Sequence, residues 1–133
     1  MVVDPACDAE PAGFDGLYRL ELTECTDGLA RGSVEVRDEL RQRGGLVHGG
    51  VYAAIADALA VRGTDAGVAP QGKVAVGLAN QTTVLHPITH GTIHATATRR
   101  HRGRTTWVWE VEMADGEGRV CVAGRVTVAI VDP

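Results

Sequence analysis

The chain has 133 residues, with 13 basic and 17 acidic side chains, a formal net charge of -4 and a hydrophobic share of 44%. No break in composition divides it, which predicts a single domain large enough to bury a core. Its mild acidity gives no electrostatic reason to expect nucleic acid or an anionic membrane surface as a partner, and no apolar run is long enough to span a bilayer.

The first residues and the cysteines bear on the cellular compartment. Residues 1–13 are acidic and contain prolines, which predicts a flexible N-terminal tail ahead of a single domain formed by residues 14–133. The tail lacks the basic start of a secretory signal. Three widely spaced cysteines, Cys7, Cys25 and Cys121, fit neither a metal-binding pair nor a closed disulfide framework. We therefore expect reduced thiols and a cytoplasmic location.

Alternating polar and apolar residues predict a hairpin after the tail. The alternation that begins at Leu17 is typical of a strand, and a turn signal at residues 26–28 ends it. A second alternating run, residues 30–37, follows directly. The two runs therefore predict neighbouring antiparallel strands.

A glycine-rich loop and a helix come next. Residues 41–50 contain four glycines around His48. Residues 51–61 are rich in alanine and poor in β-branched residues, so they predict a helix rather than a strand. Gly63 and Gly67 are expected to end this helix.

The remaining chain is strand-like in four segments: residues 73–85, 92–102, 105–113 and 119–131. Consecutive strands joined by short turns predict an antiparallel meander. Trp107 and Trp109 fall on one face of the third segment, where they either line a pocket or, as we expect, pack the sheet. One central helix after a hairpin, packed on a long antiparallel sheet, is an α+β domain.

Asp57 is the only charged residue in the predicted helix. The residues three and four positions away cannot form an ion pair with it, since all are apolar: Ala53, Ala54, Ala60 and Val61. A carboxylate buried without a partner has a raised pKa and is a candidate functional group. The alternative is that Asp57 lies on a narrow exposed stripe and reaches Arg62.

The glycine-rich loop leads into the N-terminal end of the helix. Free backbone N–H groups and the positive end of the helix dipole near Gly49 can stabilise a developing oxyanion. Asp57 is eight residues further along, about 12 Å at roughly 1.5 Å per residue. One helix therefore cannot bring both groups to one carbonyl. A two-fold dimer with antiparallel helices side by side can, which predicts an active site between two subunits.

His48 has two candidate roles. The helix dipole disfavours its cationic form, and a neutral imidazole at this place can serve as a general base. Alternatively, His48 caps the helix or orients the loop. We favour the second role.

Other hydrolytic and metal-dependent mechanisms fit the sequence poorly. Ser33, the only serine, lacks the nucleophile-elbow motif of serine hydrolases. His86, His90 and His94 repeat every four residues, but a proline and a glycine interrupt any helix there, so we expect no metal site. The glycine-rich loop matches neither a phosphate-binding loop nor a dinucleotide-binding fingerprint.

Residues 45–52, Gly-Leu-Val-His-Gly-Gly-Val-Tyr, together with Asp57, resemble the hotdog-fold acyl-CoA thioesterases. The resemblance is to the branch of 4-hydroxybenzoyl-CoA thioesterase and the phenylacetate-pathway thioesterase, which also includes the menaquinone- and enterobactin-pathway thioesterases. It extends over most of residues 14–131, and residues 80–87 and 101–105 support it. It implies a hotdog fold, in which a long antiparallel β-sheet wraps around one central α-helix.

The same resemblance implies a role for each residue of this segment. Asp57 stands where the family has its catalytic carboxylate, which acts as nucleophile or general base. Gly49 stands where a backbone N–H polarises the thioester carbonyl. Gln42 matches a glutamine or asparagine that orients the carbonyl or the water, and His48 matches a histidine that supports the loop and the thioester.

Two further expectations follow from the resemblance. The candidate contacts for the CoA part of the substrate lie in one turn: Arg102, Gly103, Arg104 and Thr105. The alternative for this segment is a solvated β-turn. Some relatives have a serine or threonine one turn after the carboxylate to position water, but this chain has Val61 there. Thr64 or Thr83 would then have to position the water.

The resemblance implies hydrolysis of an acyl-CoA thioester, or of an acyl-carrier-protein thioester, to a free acid and a thiol. CoA enters as part of the substrate, and no metal or separate cofactor is needed. Family helices pair across a homodimer, and members often assemble into a homotetramer. The alternatives are a hotdog dehydratase or hydratase, whose Asp-x4-His spacing is absent here, and a non-catalytic acyl-CoA-binding protein.

Overall fold

The computed structural model describes residues 2–3 and 11–133. A one-turn helix, α1 (Phe14–Leu17), precedes the central helix, α2 (Gly49–Val68). The strands in chain order are β1 (Val2–Val3), β2 (Glu21–Cys25), β3 (Leu29–Glu35), β4 (Val74–Val84), β5 (Thr92–Arg102), β6 (Thr106–Ala114) and β7 (Val120–Val131). They form one sheet in the order β1-β2-β3-β5-β6-β7-β4, in which all neighbours are antiparallel except the short pair of β1 with β2.

The sheet wraps around α2. Helix residues that form the core are fully buried, among them Tyr52, Ile55 and Leu59, at 1%, 0% and 0% exposure. Trp107 and Trp109 of β6 are equally buried and pack against each other with ring centroids 6.4 Å apart. Removing such apolar surface from water stabilises the fold by roughly 25 cal/mol per Å². The predicted α+β hotdog fold is confirmed, and the two tryptophans pack the sheet.

The central helix continues through both glycines that were expected to end it. Because α2 runs to Val68, that prediction is wrong. A Cβ on Gly63 would lie 2.5 Å from the Trp109 ring, and one on Gly67 would lie 2.4 Å from the Trp107 ring. The glycines therefore allow the helix to approach two tryptophans closely, and they do not act as terminators.

Replacing Gly63 with alanine is expected to destabilise the fold by about 1–3 kcal/mol, because the added methyl group overpacks a site closed by the buried Trp109 ring. The better helix propensity of alanine, worth about 1 kcal/mol, offsets only part of this cost. The measurement is the free energy of unfolding in urea. Gly116→Ala is the matched control, since a Cβ there meets nothing within 4 Å. Equal stability of the two variants would contradict the packing explanation.

Two features of the sheet differ from expectation. The first long strand begins at Glu21 rather than Leu17, because the preceding residues form α1. β4 pairs with β7 and not with its chain neighbour β5, so the last four strands do not form a simple meander. Residues 85–91 instead cross from the β4 edge to β5, and on the way the Ile88 carbonyl accepts a hydrogen bond from the Val47 N–H at 3.1 Å. This crossing supports the loop ahead of α2.

The predicted tail falls largely outside the described residues, and so does Cys7. Within the predicted tail, Val2 and Val3 are described, and they form β1 beside β2. Cys121 is a buried free thiol, whereas Cys25 is disulfide-bonded, so the prediction of reduced thiols is wrong for Cys25. Within the described part of the chain, no helix has both the length and the apolar character that crossing a membrane requires.

Candidate active site

The N-terminal end of α2 is capped by the preceding histidine. The helix begins at Gly49, two residues before the predicted segment, with His48 in the N-cap position. The His48 Nδ1 accepts a hydrogen bond from the Gly50 N–H at 2.8 Å, and the His48 carbonyl accepts one from the Val51 N–H at 2.9 Å. Among the described residues, the Gly49 N–H has no acceptor. A Cβ built on Gly49 would meet nothing within 4 Å, so a carbonyl group can approach this donor.

The cap constrains the chemistry of His48. Because Nδ1 accepts from Gly50, the neutral ring carries its proton on Nε2. A general-base role at Nδ1 would require this cap to break. Gly50 leaves the room that the ring needs, since a Cβ there would lie 3.0 Å from Nδ1. The geometry supports the capping role over the general-base role.

Gln42 lies on a tight turn beside the helix start. Its backbone N–H donates to the Leu46 carbonyl at 2.8 Å, and the Gly45 N–H donates to the Gln42 carbonyl at 3.1 Å. Gly44 and Gly45 have φ values of 97° and 90°, which glycine adopts without strain. The Gln42 side chain is exposed and has no hydrogen-bond partner among the described residues. Its amide is therefore available to a substrate.

Asp57 is half-buried and unpaired. Its carboxylate forms no hydrogen bond or ion pair with any described residue. Burial raises the pKa of this carboxyl, and the negative charge of Asp15 raises it further. Arg62, the partner that an exposed stripe would supply, lies 3.9 Å from Asp15 instead. The raised pKa is as expected, and the alternative of an Asp57–Arg62 pair is wrong.

The strand beside Asp57 contributes contacts that the sequence reasoning missed. Gly77 of β4 lies so close that a Cβ there would be 2.3 Å from the Asp57 Oδ1. Asn80, on the same strand, donates from Nδ2 to the Ala53 carbonyl at 2.9 Å, one turn earlier in α2, and its Oδ1 accepts from the Thr82 hydroxyl at 2.7 Å. β4 thus holds the stretch of helix that carries the carboxylate. A glycine inside a strand was the signal that could have revealed this close approach.

Thr64 cannot position water for Asp57. Its side chain is completely buried, at 0% exposure. Its hydroxyl donates to the Ala60 carbonyl at 2.7 Å and accepts from the Trp109 Nε1 at 2.9 Å. The prediction for Thr64 is therefore wrong, and exposed Thr83 on β4 is the other candidate.

The four candidate CoA contacts are the last residue of β5, Arg102, and the three residues of the turn that leads to β6. The Gly103 N–H closes it by donating to the Thr106 carbonyl at 2.8 Å. The Arg102 guanidinium is bound to the Asp27 carboxylate at 2.9 Å. Arg104 is exposed and has no carboxylate partner in the described part of the chain. Arg102 is thus already paired with a carboxylate, whereas Arg104 is free to contact a ligand.

This turn lies at the end of α2 opposite the glycine-rich loop. Arg102 lies over the Trp107 ring, 4.7 Å from its centroid, and the same ring packs against Gly67 in the last turn of α2. The helix has 20 residues, which corresponds to about 30 Å. Within one chain, the turn and Gly49 are therefore at opposite ends of the molecule's central helix.

A cavity of about 650 Å³ adjoins the start of α2. It lies between α1, the turn before the glycine-rich loop and the first turns of α2. Its apolar lining consists of Phe14, Leu17, Leu40, Val51 and Ala54, with Tyr18 beside them. His48 and Gly50 line the same cavity. An apolar group attached to a carbonyl at the Gly49 N–H therefore has space in which to lie.

Comparison with known proteins gives a family. Residues 44–122 match the family model described as Thioesterase superfamily. A Mycobacterium tuberculosis protein with a provisional esterase name is 36% identical over 115 residues, 85% of this chain and 82% of the relative. Its solved structure superposes with a TM-score of 0.87 at 34% identity, covering 90% of this chain and 97% of that one. The proofreading thioesterase EntH of Klebsiella pneumoniae is 31% identical over 110 residues, 81% of this chain and 78% of the relative.

A sheet wrapped around one helix, with an open N–H at the helix start and a half-buried carboxylate further along, defines a hotdog protein equipped to act on a carbonyl group. The chain belongs to the thioesterase superfamily, and the protein is a thioester hydrolase. Across residues 2–3 and 11–133, no cluster of three or more histidine, cysteine, aspartate or glutamate side chains is placed to hold a metal ion.

Proposed function

We propose that this thioesterase cleaves acyl-CoA thioesters, or the corresponding acyl-carrier-protein thioesters, to a free acid and a thiol. The observation that carries the proposal is the Asp57 carboxyl, which is half-buried, raised in pKa and unpaired among the described residues. A carboxyl with a raised pKa is the stronger base once it is ionised. The Gly49 N–H on the same helix supplies the second group that thioester hydrolysis needs, a donor for the carbonyl oxygen.

Each residue of the site has a role in the proposed reaction. The Gly49 N–H and the helix dipole polarise the thioester carbonyl. As a general base, ionised Asp57 takes a proton from a water that attacks the carbonyl carbon, and the water oxygen ends in the acid. As a nucleophile, it attacks the carbonyl carbon itself and forms a mixed anhydride, which water then hydrolyses to the acid and free Asp57. On either route the carbon–sulfur bond breaks and the departing sulfur receives a proton. Gln42 orients the carbonyl or the water, and His48 holds the loop through its cap. CoA is part of the substrate, and the proposed compartment is the cytoplasm.

The active site is proposed to form between two subunits of a homodimer. Gly49 and Asp57 are separated by about 12 Å along α2 at roughly 1.5 Å per residue, so one chain cannot direct both at one carbonyl. β4 is an edge strand with exposed apolar side chains, Val76 at 47% and Leu78 at 63%. Such an edge is suited to pairing with a second copy of the chain. Because α2 packs along β4, that pairing would bring the two helices side by side, and two such dimers would form the proposed homotetramer.

Related solved enzymes support the choice of two side chains. In a Staphylococcus aureus thioesterase, a glutamine and a glutamate fifteen positions apart have each been replaced by alanine in separate structures. Gln42 and Asp57 are separated by the same fifteen positions. A Pseudomonas aeruginosa thioesterase has also been crystallised with a glutamine replaced by alanine. We infer that Gln42 and Asp57 form the corresponding pair here, with aspartate in place of glutamate.

The turn of residues 102–105 is the proposed contact for the CoA part of the substrate. Exposed Arg104 can pair with a phosphate group, whereas Arg102 would first have to leave Asp27. With Gly49 of one helix beside Asp57 of the antiparallel helix, the last turn of the second helix lies beyond Gly49, about 15 Å from it along the axis at roughly 1.5 Å per residue. The turn of one subunit would therefore bind the substrate whose carbonyl lies at the Gly49 of the other subunit.

The acyl group is proposed to occupy the cavity of about 650 Å³ beside His48. One relative, from Listeria monocytogenes, is named 1,4-dihydroxy-2-naphthoyl-CoA hydrolase and is 29% identical over 118 residues, 89% of this chain and 95% of the relative. Aromatic acyl-CoA thioesters are therefore tested together with fatty acyl-CoA thioesters. The purified full chain is mixed with each thioester, and thiol release is followed with a thiol-reactive dye. Absence of enzyme-dependent release from every thioester would overturn the proposal.

Mixing two inactive variants should restore part of the activity. In a heterodimer of Gln42→Ala with Asp57→Asn, one of the two shared sites receives both native side chains. Random co-refolding would make about half of the dimers mixed, each with one intact site of two, so about a quarter of wild-type activity is expected. Each variant refolded alone is the control. A mixture no more active than its components would contradict an active site shared between subunits.

A further inference from the structure

α1 holds a second carboxylate against the central helix. The Tyr18 hydroxyl donates to the Asp15 Oδ1 at 2.8 Å, and the Arg62 guanidinium lies 3.9 Å from the Asp15 Oδ2. The backbone is held as well, because the Leu20 N–H donates to the Asp15 carbonyl at 3.2 Å and the Arg37 guanidinium donates to the carbonyl at the end of α1. Asp15 is therefore fixed in place through both its side chain and its backbone.

These contacts place Asp15 beside the stretch of α2 that carries Asp57. The Tyr18 hydroxyl oxygen lies 3.3 Å from the Ala54 carbonyl, one turn before Asp57 in the helix. Arg62 lies a little more than one turn after Asp57. Burial raises the pKa of the Tyr18 hydroxyl, and the negative charges of Asp15 and then of Asp57 raise it further. The charges of both carboxylates thus affect the pKa of Tyr18.

We propose that Asp15 is a positioning residue for thioester hydrolysis: held by Tyr18 and Arg62, it presents a fixed negative charge to Asp57 and makes Asp57 a stronger base. This inference rests on the proposed role of Asp57 as the base or nucleophile. Asp15 and Asp57 are not joined by a hydrogen bond, so Asp15 acts on Asp57 through its charge.

Among the groups packed around Asp57 in the described part of the chain, no cation lowers the Asp57 pKa. β4 faces it with uncharged Gly77, and on α2 the guanidinium of Arg62 is bound to Asp15 itself. After burial, the charge of Asp15 is the remaining cause of the raised Asp57 pKa.

The sign of the effect on activity follows from the charges. A neighbouring negative charge disfavours the ionised form of Asp57, so Asp57 loses its proton at a higher pH than it otherwise would. Hydrolysis requires the ionised form, and activity therefore falls as the pH drops through the Asp57 pKa. Removing the charge of Asp15 lowers that pKa and moves the fall in activity to lower pH.

The pH profile of kcat/KM tests the inference on the full-length protein. In Asp15→Asn the midpoint of the acid side should move down by about half a unit to one unit. Asp15→Glu keeps the charge and should keep the wild-type midpoint. Glu112→Gln removes an exposed carboxylate on β6 and is the matched control, with no shift expected. An unmoved midpoint in Asp15→Asn would overturn the inference, because a purely structural role of Asp15 would change the rate and not the midpoint.

A carbon-13 NMR titration of the Asp57 carboxyl gives the same answer without turnover. The Asp57→Asn variant identifies the signal, and a lower titration midpoint in Asp15→Asn supports the inference. Should Asp15→Asn fail to fold, Asp15→Ser removes the same charge and is titrated in its place. If the Asp57 carboxyl titrates with the same midpoint in the wild type and in the variant without the Asp15 charge, the inference is refuted, even if that variant has lost activity. Failure of the proposed function is seen separately, since Asp57→Asn would then retain turnover whatever the titration shows.

Discussion

Asp57→Asn is expected to lower kcat for thioester hydrolysis about 10³-fold while changing the free energy of unfolding by less than about 1 kcal/mol. The amide has nearly the shape of the carboxyl, but it can neither accept a proton from water nor attack a carbonyl carbon. No hydrogen bond within the described residues is lost, because the Asp57 carboxylate makes none there. Steady-state kinetics with the best thioester substrate and unfolding in urea measure the two effects.

Asp65 provides a matched control on the same helix. It is also half-buried, and burial likewise raises its pKa, but its carboxylate accepts a hydrogen bond from the Ala75 N–H at 3.0 Å. An asparagine carbonyl can accept the same bond, so Asp65→Asn should keep turnover within a few-fold of wild type. Full turnover in Asp57→Asn, or equal losses in both variants, would contradict the assignment of Asp57.

Gly77→Ala is expected to reduce kcat by roughly 10- to 100-fold, with little change in stability. The alanine Cβ would lie 2.3 Å from the Asp57 Oδ1, so the carboxylate must turn away from β4. A displacement of about 1 Å at a reacting centre can cost on the order of 10²-fold in rate. The cost to the fold is small because the group that moves is the end of a rotatable side chain. Kinetics and thermal unfolding of the purified variant provide the measurement.

The double variant shows whether Gly77 acts through Asp57. In the Asp57→Asn background, Gly77→Ala should cause no further loss, since the group that it displaces is no longer functional. Gly116→Ala, at a position where a Cβ meets nothing within 4 Å, should leave kcat unchanged. If Gly77→Ala lowers kcat by the same factor in both backgrounds, its effect arises elsewhere.

Local patterns predicted the elements well where neighbouring residues decide them. The alternation over residues 92–102 predicted a strand with the bounds that β5 has, because a half-buried strand repeats every two residues. The start of α2 at Gly49 lies within two residues of the start of the predicted helix, residues 51–61, because the change from glycine-rich to alanine-rich sequence is local. The end of α2 was missed. Glycine's low helix propensity is a local property, whereas the packing of Gly63 on Trp109 joins a helix to a strand far along the chain.

The same division applies to the candidate site. The isolation of Asp57 among apolar residues follows from helical spacing alone, and so does its distance from Gly49. Spacing did not exclude Thr64 as a water-positioning residue. Thr64 lies on the face of α2 that packs against β6, so its burial and its hydrogen bond with Trp109 depend on how the helix lies on that strand. It offered Asp57 as a partner for Arg62, whereas in the folded chain the Arg62 guanidinium lies 3.9 Å from the Asp15 carboxylate.

The order of the amino acids was thus sufficient for the α+β class, the open start of the central helix and the placement of Asp57 among apolar helix residues, since each depends on residues within a few turns of one another. The neighbours that govern that carboxylate required the folded chain. Asp15 arrives from α1 and Gly77 from β4, one before the helix and one after it, and no spacing rule connects them to Asp57. Packing of separate elements buries Asp57, which raises its pKa, and it adds the charge of Asp15, which raises that pKa further, and the confinement by Gly77.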